Sequence, residues 1–155
     1  MIDLSQGEPF AHILCWVDGS YEACRAAELA AYLAQSLGAK LSYVAVGARI
    51  GRDEGFEVYA QIEGVSQPIP PFLKGNTHAC LEQAMSIAAK IGISGAERLI
   101  ESGDEVMAVC NAARAQDADL VVIRKRKSTL IERLQGAAAS DTLANRCGFA
   151  VLSVG

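Results

Sequence analysis

Leu120-Val121-Val122-Ile123-Arg124-Lys125-Arg126-Lys127-Ser128-Thr129 is the stretch on which the fold turns. Its first four residues are a short, continuous apolar run. Such a run reads as a strand covered on both faces, the kind that builds a parallel sheet. Ligands of these sheets bind beyond the carboxyl ends of the strands, where the strand order reverses. The four cations Arg124 to Lys127 therefore put positive charge where many α/β folds hold a phosphate.

Working outward, strand and helix signals alternate. His12–Val17 is an apolar run of strand type. It stops at Asp18-Gly19-Ser20, and Ser20 is a good N-cap. Ala26, Leu29, Ala30, Leu33 and Leu37 then recur at helical spacing, and Gly38 ends that helix. Leu41–Val46 predicts strand two. Asn76 or Thr77 caps the next helix, whose apolar face is Cys80, Leu81, Ala84, Met85, Ile87, Ala88 and Ile91, closed by Gly92. Ala96–Ile100 predicts strand three. Gly103-Asp104 opens a helix with Val106, Met107, Cys110 and Ala113 inward; Asp104 and Glu105 suit its N-terminal dipole. Leu120–Ile123 is strand four. Thr129-x-x-Glu132 has capping-box spacing, so a short helix is expected over Leu130–Gln135. Ala138–Arg146 predicts a last helix and Ala150–Val154 a last strand. The alternation specifies an α/β fold, a five-stranded parallel sheet with right-handed crossovers and helices on both faces.

Residues 47–75 interrupt this rhythm. Gly47, Gly51, Gly55, Gly64, Gly75 and the prolines 68, 70 and 71 bracket an alternating run, Phe56 to Ile62. The segment reads either as a flap or partner surface or as a solvated insertion.

At 155 residues the chain is expected to form one domain, residues 1–155, that buries about 68–70% of its unfolded surface without a disulfide or metal staple. The five cysteines, Cys15, Cys24, Cys80, Cys110 and Cys147, have no CxxC spacing and read as reduced thiols packed as small hydrophobes. A net charge of −4 argues against a nucleic-acid partner, which wants a basic face. No run approaches the ~20 apolar residues of a membrane span, and the start lacks signal-peptide features. A cytoplasmic protein is expected.

Nothing reads as catalytic. His12 and His78 lack Cys or carboxylate neighbours at ligand spacing, so no metal is expected. GxSxG and Walker A spacings are absent, and Cys15 sits inside a strand where a thiol is inert.

Two stretches resemble the universal stress protein family. HILCWVDGSYEACRAAELAAYLAQSLGAKLSYVAV, residues 12–46, is similar to its opening strand, Asp-Gly-Ser turn and helix ending in Leu-Gly-Ala. SGDEVMAVCNAARAQDADLVVI, residues 102–123, is similar to its Gly-Asp helix start followed by Ala-Asp-Leu and a strand, and FAVLSV at 149–154 runs in step. The resemblance implies the five-stranded sheet and a dimer. ATP-binding members carry Gly-x2-Gly-x9-Gly-Ser/Thr after strand four, where bare backbone lets amides approach phosphates. Aligned without a gap, this chain has Arg124, Lys127, Ala137 and Ala138 there; Gly136 falls one residue early. By the same resemblance Asp18 corresponds to a nucleoside-holding Asp and Val46 to an adenine-pocket position. A turn Asp and a core Val explain the same two residues.

The basic run has two readings. It forms an anion site with Ser128 and Thr129 at a helix start, or it is a solvated loop. Its side chains are also placed to fold over the cleft and close it. The favoured expectation is a non-enzymatic stress-response or regulatory protein, with no cofactor, that pairs through the edge strand Ala150–Val154 and binds a protein partner. The other reading is an adenine-nucleotide-binding member, weakly hydrolysing or not, with a divergent phosphate loop that takes ATP or a related nucleotide through Arg124 and Lys127.

Overall fold

The computed structural model describes residues 10–47, 76–125 and 139–155. The elements run β1 (His12–Trp16), α1 (Tyr21–Leu37), β2 (Lys40–Gly47), α2 (Thr77–Ile91), β3 (Glu97–Ser102), α3 (Glu105–Ala115) and β4 (Leu120–Arg124). They end with α4 (Ala139–Asp141), a π-helical turn over Thr142–Arg146, and β5 (Ala150–Val154). The predicted helix over Leu130–Gln135 and the segment 48–75 lie outside the described residues.

All five strands join one sheet in the order β3-β2-β1-β4-β5, every neighbouring pair parallel. The chain steps outward from β1 to β3, then crosses back to lay β4 on the other side of β1. The order therefore reverses between β1 and β4. Period-two alternation splits the core between the two sheet faces. Ile13, Cys15, Tyr43 and Val122 meet α1 and α2, while Leu14, Val44, Val121 and Ile123 meet α3 and Leu143.

The helices start where capping chemistry places them. Ser20 Oγ accepts from Ala23 N at 3.1 Å, Asn76 Oδ1 from Ala79 N at 2.9 Å, and Asp104 Oδ1 from Met107 N at 3.0 Å. Gly38 and Gly92 end α1 and α2 in the left-handed region.

Two apolar faces differ from the periodic reading. The buried stripe of α1 is all alanine: Ala23, Ala26, Ala27, Ala30, Ala31 and Ala34. At about 100° per residue, Leu29 falls nearly opposite Ala27 and is exposed. On α3 the inner side is Ala108, Val109, Cys110, Ala112 and Ala113, and Met107 is turned outward. The fully buried residues are mostly small, while Leu33, Leu37 and Val106 pack at the core's margin as expected and only Leu29 and Met107 depart from the periodic reading. β3 also runs two residues past the expected Ile100, because Glu101 and Ser102 continue the ladder with Val46 and Gly47.

The cysteines require a correction. Cys110 and Cys147, 37 positions apart in the sequence, are joined as a disulfide with Cα atoms 6.2 Å apart. Only a pairing that crosses the fold brings them together, which spacing along the chain could not reveal. Cys15 and Cys80 are buried thiols, as expected of small hydrophobes.

At the amino ends of the strands, Asp119 clamps β1 to the start of β4. Its Oδ2 accepts from Ala11 N at 2.7 Å and His12 N at 2.9 Å. The buried His12 ring donates Nδ1–H to the Gln116 carbonyl at 2.9 Å and meets Ser42 Oγ through Nε2 at 2.7 Å. His12 is thus a structural residue, tying β1 to β2 and to the turn after α3.

Candidate functional site

The carboxyl ends of β1 and β4 lie side by side, with Cys15 in register with Val122. Three residues beyond Cys15 the chain reaches Asp18; two beyond Val122 it reaches Arg124. The reversal of strand order thereby brings an acid and a base to one rim.

The turn after β1 fixes Asp18. Gly19 sits at φ +83°, a conformation that disfavours any side chain. This lets Asp18 Oδ1 accept from Ser20 N at 2.9 Å while Ser20 caps α1. The second oxygen, Oδ2, accepts from Arg124 Nε at 2.5 Å. The two side chains are only 24% and 18% exposed. A charge-assisted hydrogen bond this short, in a partly dry setting, is stronger than a surface ion pair. Both carboxylate oxygens of Asp18 are therefore engaged.

Trp16, Asp18, Arg124 and Ala139 line the cleft at this rim, with about 10 Å³ of open space among them, room for roughly one water. The Arg124 side chain spans this rim to reach Asp18. Behind Arg124 the strand is anchored, since Lys125 N donates to Val154 O of β5 at 2.7 Å.

The thiols near Asp18 are held protonated. Burial, with the Asp18 charge second, pushes Cys15 well above the usual thiol range and raises Cys24. Cys80 is pushed up to about 11 from 9.0 by the same causes. A protonated thiol is a poor nucleophile, so burial lowers the reactivity of all three. Among the described residues, no group of three His, Cys, Asp or Glu side chains could hold a metal ion, and no helix is long and apolar enough to cross a membrane.

Of the residues singled out from sequence, Asp18 and Arg124 meet. Val46 stands one strand away, half-buried near the end of β2 and packed against the Leu14–Val44 side of the core. Lys127, Gly136, Ala137 and Ala138 lie outside the described residues. Trp16 and Ala139 were not anticipated. Trp16 had a signal, being two residues before Asp18 on the same strand; Ala139 had none.

A model described as the universal stress protein family matches residues 9–155. The chain belongs to that family. Solved structures of universal stress proteins share its fold. One described as a universal stress protein in complex with cAMP is 25% identical, with a TM-score of 0.73 over 95% of this chain and 98% of that one. A family protein from Burkholderia pseudomallei is 23% identical, with a TM-score of 0.63 over 96% and 98% of the two chains. A universal stress protein from Archaeoglobus fulgidus is 20% identical, with a TM-score of 0.66 over 97% and 98%. No curated protein matches. In this universal stress protein, Arg124 and Asp18 face each other at the rim of the reversal point.

Proposed function

We propose that this universal stress protein is a non-enzymatic regulator of the stress response, acting in the cytoplasm as a homodimer that binds a protein partner, with its nucleotide cleft closed. The Asp18–Arg124 ion pair is the observation that carries this reading. A nucleoside at this rim needs a carboxylate free to accept from its hydroxyls. Asp18 has spent one oxygen on its own turn and the other on Arg124. Opening the site means breaking a short, partly buried charge pair before any contact with the ligand is gained.

β5 supports the proposed dimer. It ends the sheet, bonded to β4 on one side, and an apolar edge strand with unpaired backbone groups seeks a second strand. A copy of itself is the proposed mate. The basic run and the segment 47–75 are the proposed partner surfaces.

Calorimetric titration with ATP, ADP, AMP and cAMP tests the closed cleft, with no heat expected from any of them. Sedimentation tests the dimer; a monomer at micromolar concentration would overturn that part.

A second reading is favoured by one observation, the relative in complex with cAMP at 25% identity. A ligand with one phosphate does not need a triphosphate loop. Arg124 would leave Asp18 for the phosphate and free the carboxylate for the sugar. Saturable heat with cAMP that is lost in Arg124→Ala would establish this reading in place of the first.

A further inference from the structure

Cys110 is completely buried on α3, packed among Leu14, Val109, Val121 and Leu143. Its partner Cys147 is half-buried and follows the π-helical turn. The two ends of the bond therefore differ in access, one facing the core and one within reach of a small reagent.

The segment that Cys147 anchors is only shallowly buried. α4 buries no residue, and the π-helical turn buries only Leu143. Its internal bonds are Cys147 N to Thr142 O and Phe149 N to Leu143 O, both 3.2 Å. Leu143 is buried in the core, Ala139, Phe149 and Val151 pack at its margin, β5 joins the sheet, and the disulfide is the covalent tie to α3. The segment's two ends both matter: Ala139 lines the cleft beside Asp18 and Arg124, and β5 is an edge of the sheet.

We propose that Cys110 and Cys147 form a reversible thiol–disulfide switch, closed by a peroxide and opened by a thiol reductant, that sets how firmly residues 139–154 are held against α3. Closing begins with the Cys147 thiolate attacking the peroxide O–O bond, giving a sulfenic acid and releasing water. Cys110 then attacks that sulfur, the S–S bond forms, and the sulfenic oxygen leaves as a second water. Two thiols are oxidised and one hydrogen peroxide is reduced to two waters. Opening is attack of an incoming thiolate on the accessible Cys147 sulfur, with Cys110 as leaving group; a second reductant thiol then releases Cys147. Reduced Cys110 remains a small hydrophobe in an apolar pocket, so the core accepts both states. Cys15, Cys24 and Cys80 are not joined in a disulfide, and Cys110 and Cys147 are the two already held within bonding distance of each other.

The test uses the whole chain in the two redox states. Mass spectrometry after alkylation in denaturant should count three thiols following stoichiometric hydrogen peroxide and all five of the cysteines after dithiothreitol, through repeated cycles. Hydrogen exchange at Leu143, Leu152 and Val154 should run at least tenfold faster in the reduced protein, with Ala26–Ala34 of α1 unchanged. Cys147→Ser should show the fast rate with and without peroxide, and Cys110→Ala provides the same comparison if that variant does not fold. Five thiols after peroxide, or a bond that dithiothreitol cannot reopen, would overturn the switch. So would equal exchange rates in the two states, which would make the bond a staple only.

Discussion

Arg124 reaches from β4 to β1 and places its Nε 2.5 Å from Asp18 Oδ2, joining residues 106 apart in sequence at the point where the sheet changes direction. The pair has two separable consequences, one for stability and one for ligand access.

For stability, Arg124→Gln leaves a mostly buried carboxylate without its cation. The expected cost is about 2 kcal/mol, the usual range for a lost charged hydrogen bond. Asp18→Asn combined with Arg124→Gln should recover part of it. Urea denaturation of the four proteins of this double-mutant cycle measures the coupling; additive single effects would mean that the pair contributes nothing.

For access, Arg124→Gly together with Lys127→Gly restores two bare backbone positions of the family's loop and releases Asp18. Adenine-nucleotide binding should become measurable by calorimetry, where none is expected of the unaltered protein. If no heat appears, these two positions do not account for the proposed closure, and Ala138→Ser is the next change to add.

Alkali should weaken the fold in a definite window. Cys80 is pushed up to about 11 from 9.0, and Cys15 and Tyr43 are pushed higher by burial. These groups are neutral when folded but ionise more readily when unfolded. Their contribution is therefore fully present below about pH 9 and is lost as the pH rises through the folded values. The urea midpoint should fall steadily from pH 9 to pH 11, and Cys80→Ala should flatten part of that decline. A midpoint constant over this range would contradict the burial of these groups.

The edge strand gives a surgical variant. Val154 O accepts from Lys125 N, so strand alternation turns the Ser153 N–H toward the free side of the sheet. Proline at that position removes no bond to β4 and is tolerated on an edge. Ser153→Pro should raise the dimer dissociation constant at least tenfold in sedimentation, with the circular dichroism spectrum kept. An unchanged dimer would put the self-pairing surface elsewhere.

Asp119→Ala makes a useful contrast, because Asp119 sits at the opposite end of the strands from the cleft. Losing the acceptor for Ala11 N and His12 N should cost about 1–3 kcal/mol. The amide of His12 should exchange faster while the titration behaviour of the cleft stays as it was.

The sheet was legible because β1, β2 and β4 are written as apolar runs, and Gly38, Gly92 and the Ser20 and Asp104 caps punctuate the helices between them. Side-chain facing was less legible. Leu29 and Met107 fit the apolar stripes by spacing yet face outward, because the innermost positions of α1 and α3 go mainly to small residues that let the helices approach the sheet. At the site, the place of Asp18 and Arg124 at the strand ends could be read, and the crossing of their side chains could not. That contact depends on β1 and β4 being neighbours, a property of the sheet order. The Cys110–Cys147 bond and the Asp119 clamp were hidden for the same reason, since each joins segments that meet only in the finished fold.

The methyl layer under α1 acts as a spacer that sets the height of the whole first turn. Ala23 lies in that layer, and its N–H is held by Ser20 Oγ, two residues from Asp18. A bulkier residue at Ala23 would lift the helix end and draw Asp18 upward, lengthening its reach to Arg124. The gap between α1 and the sheet, measured in single methyl groups, thus governs whether the acid and the base at the rim can touch at all.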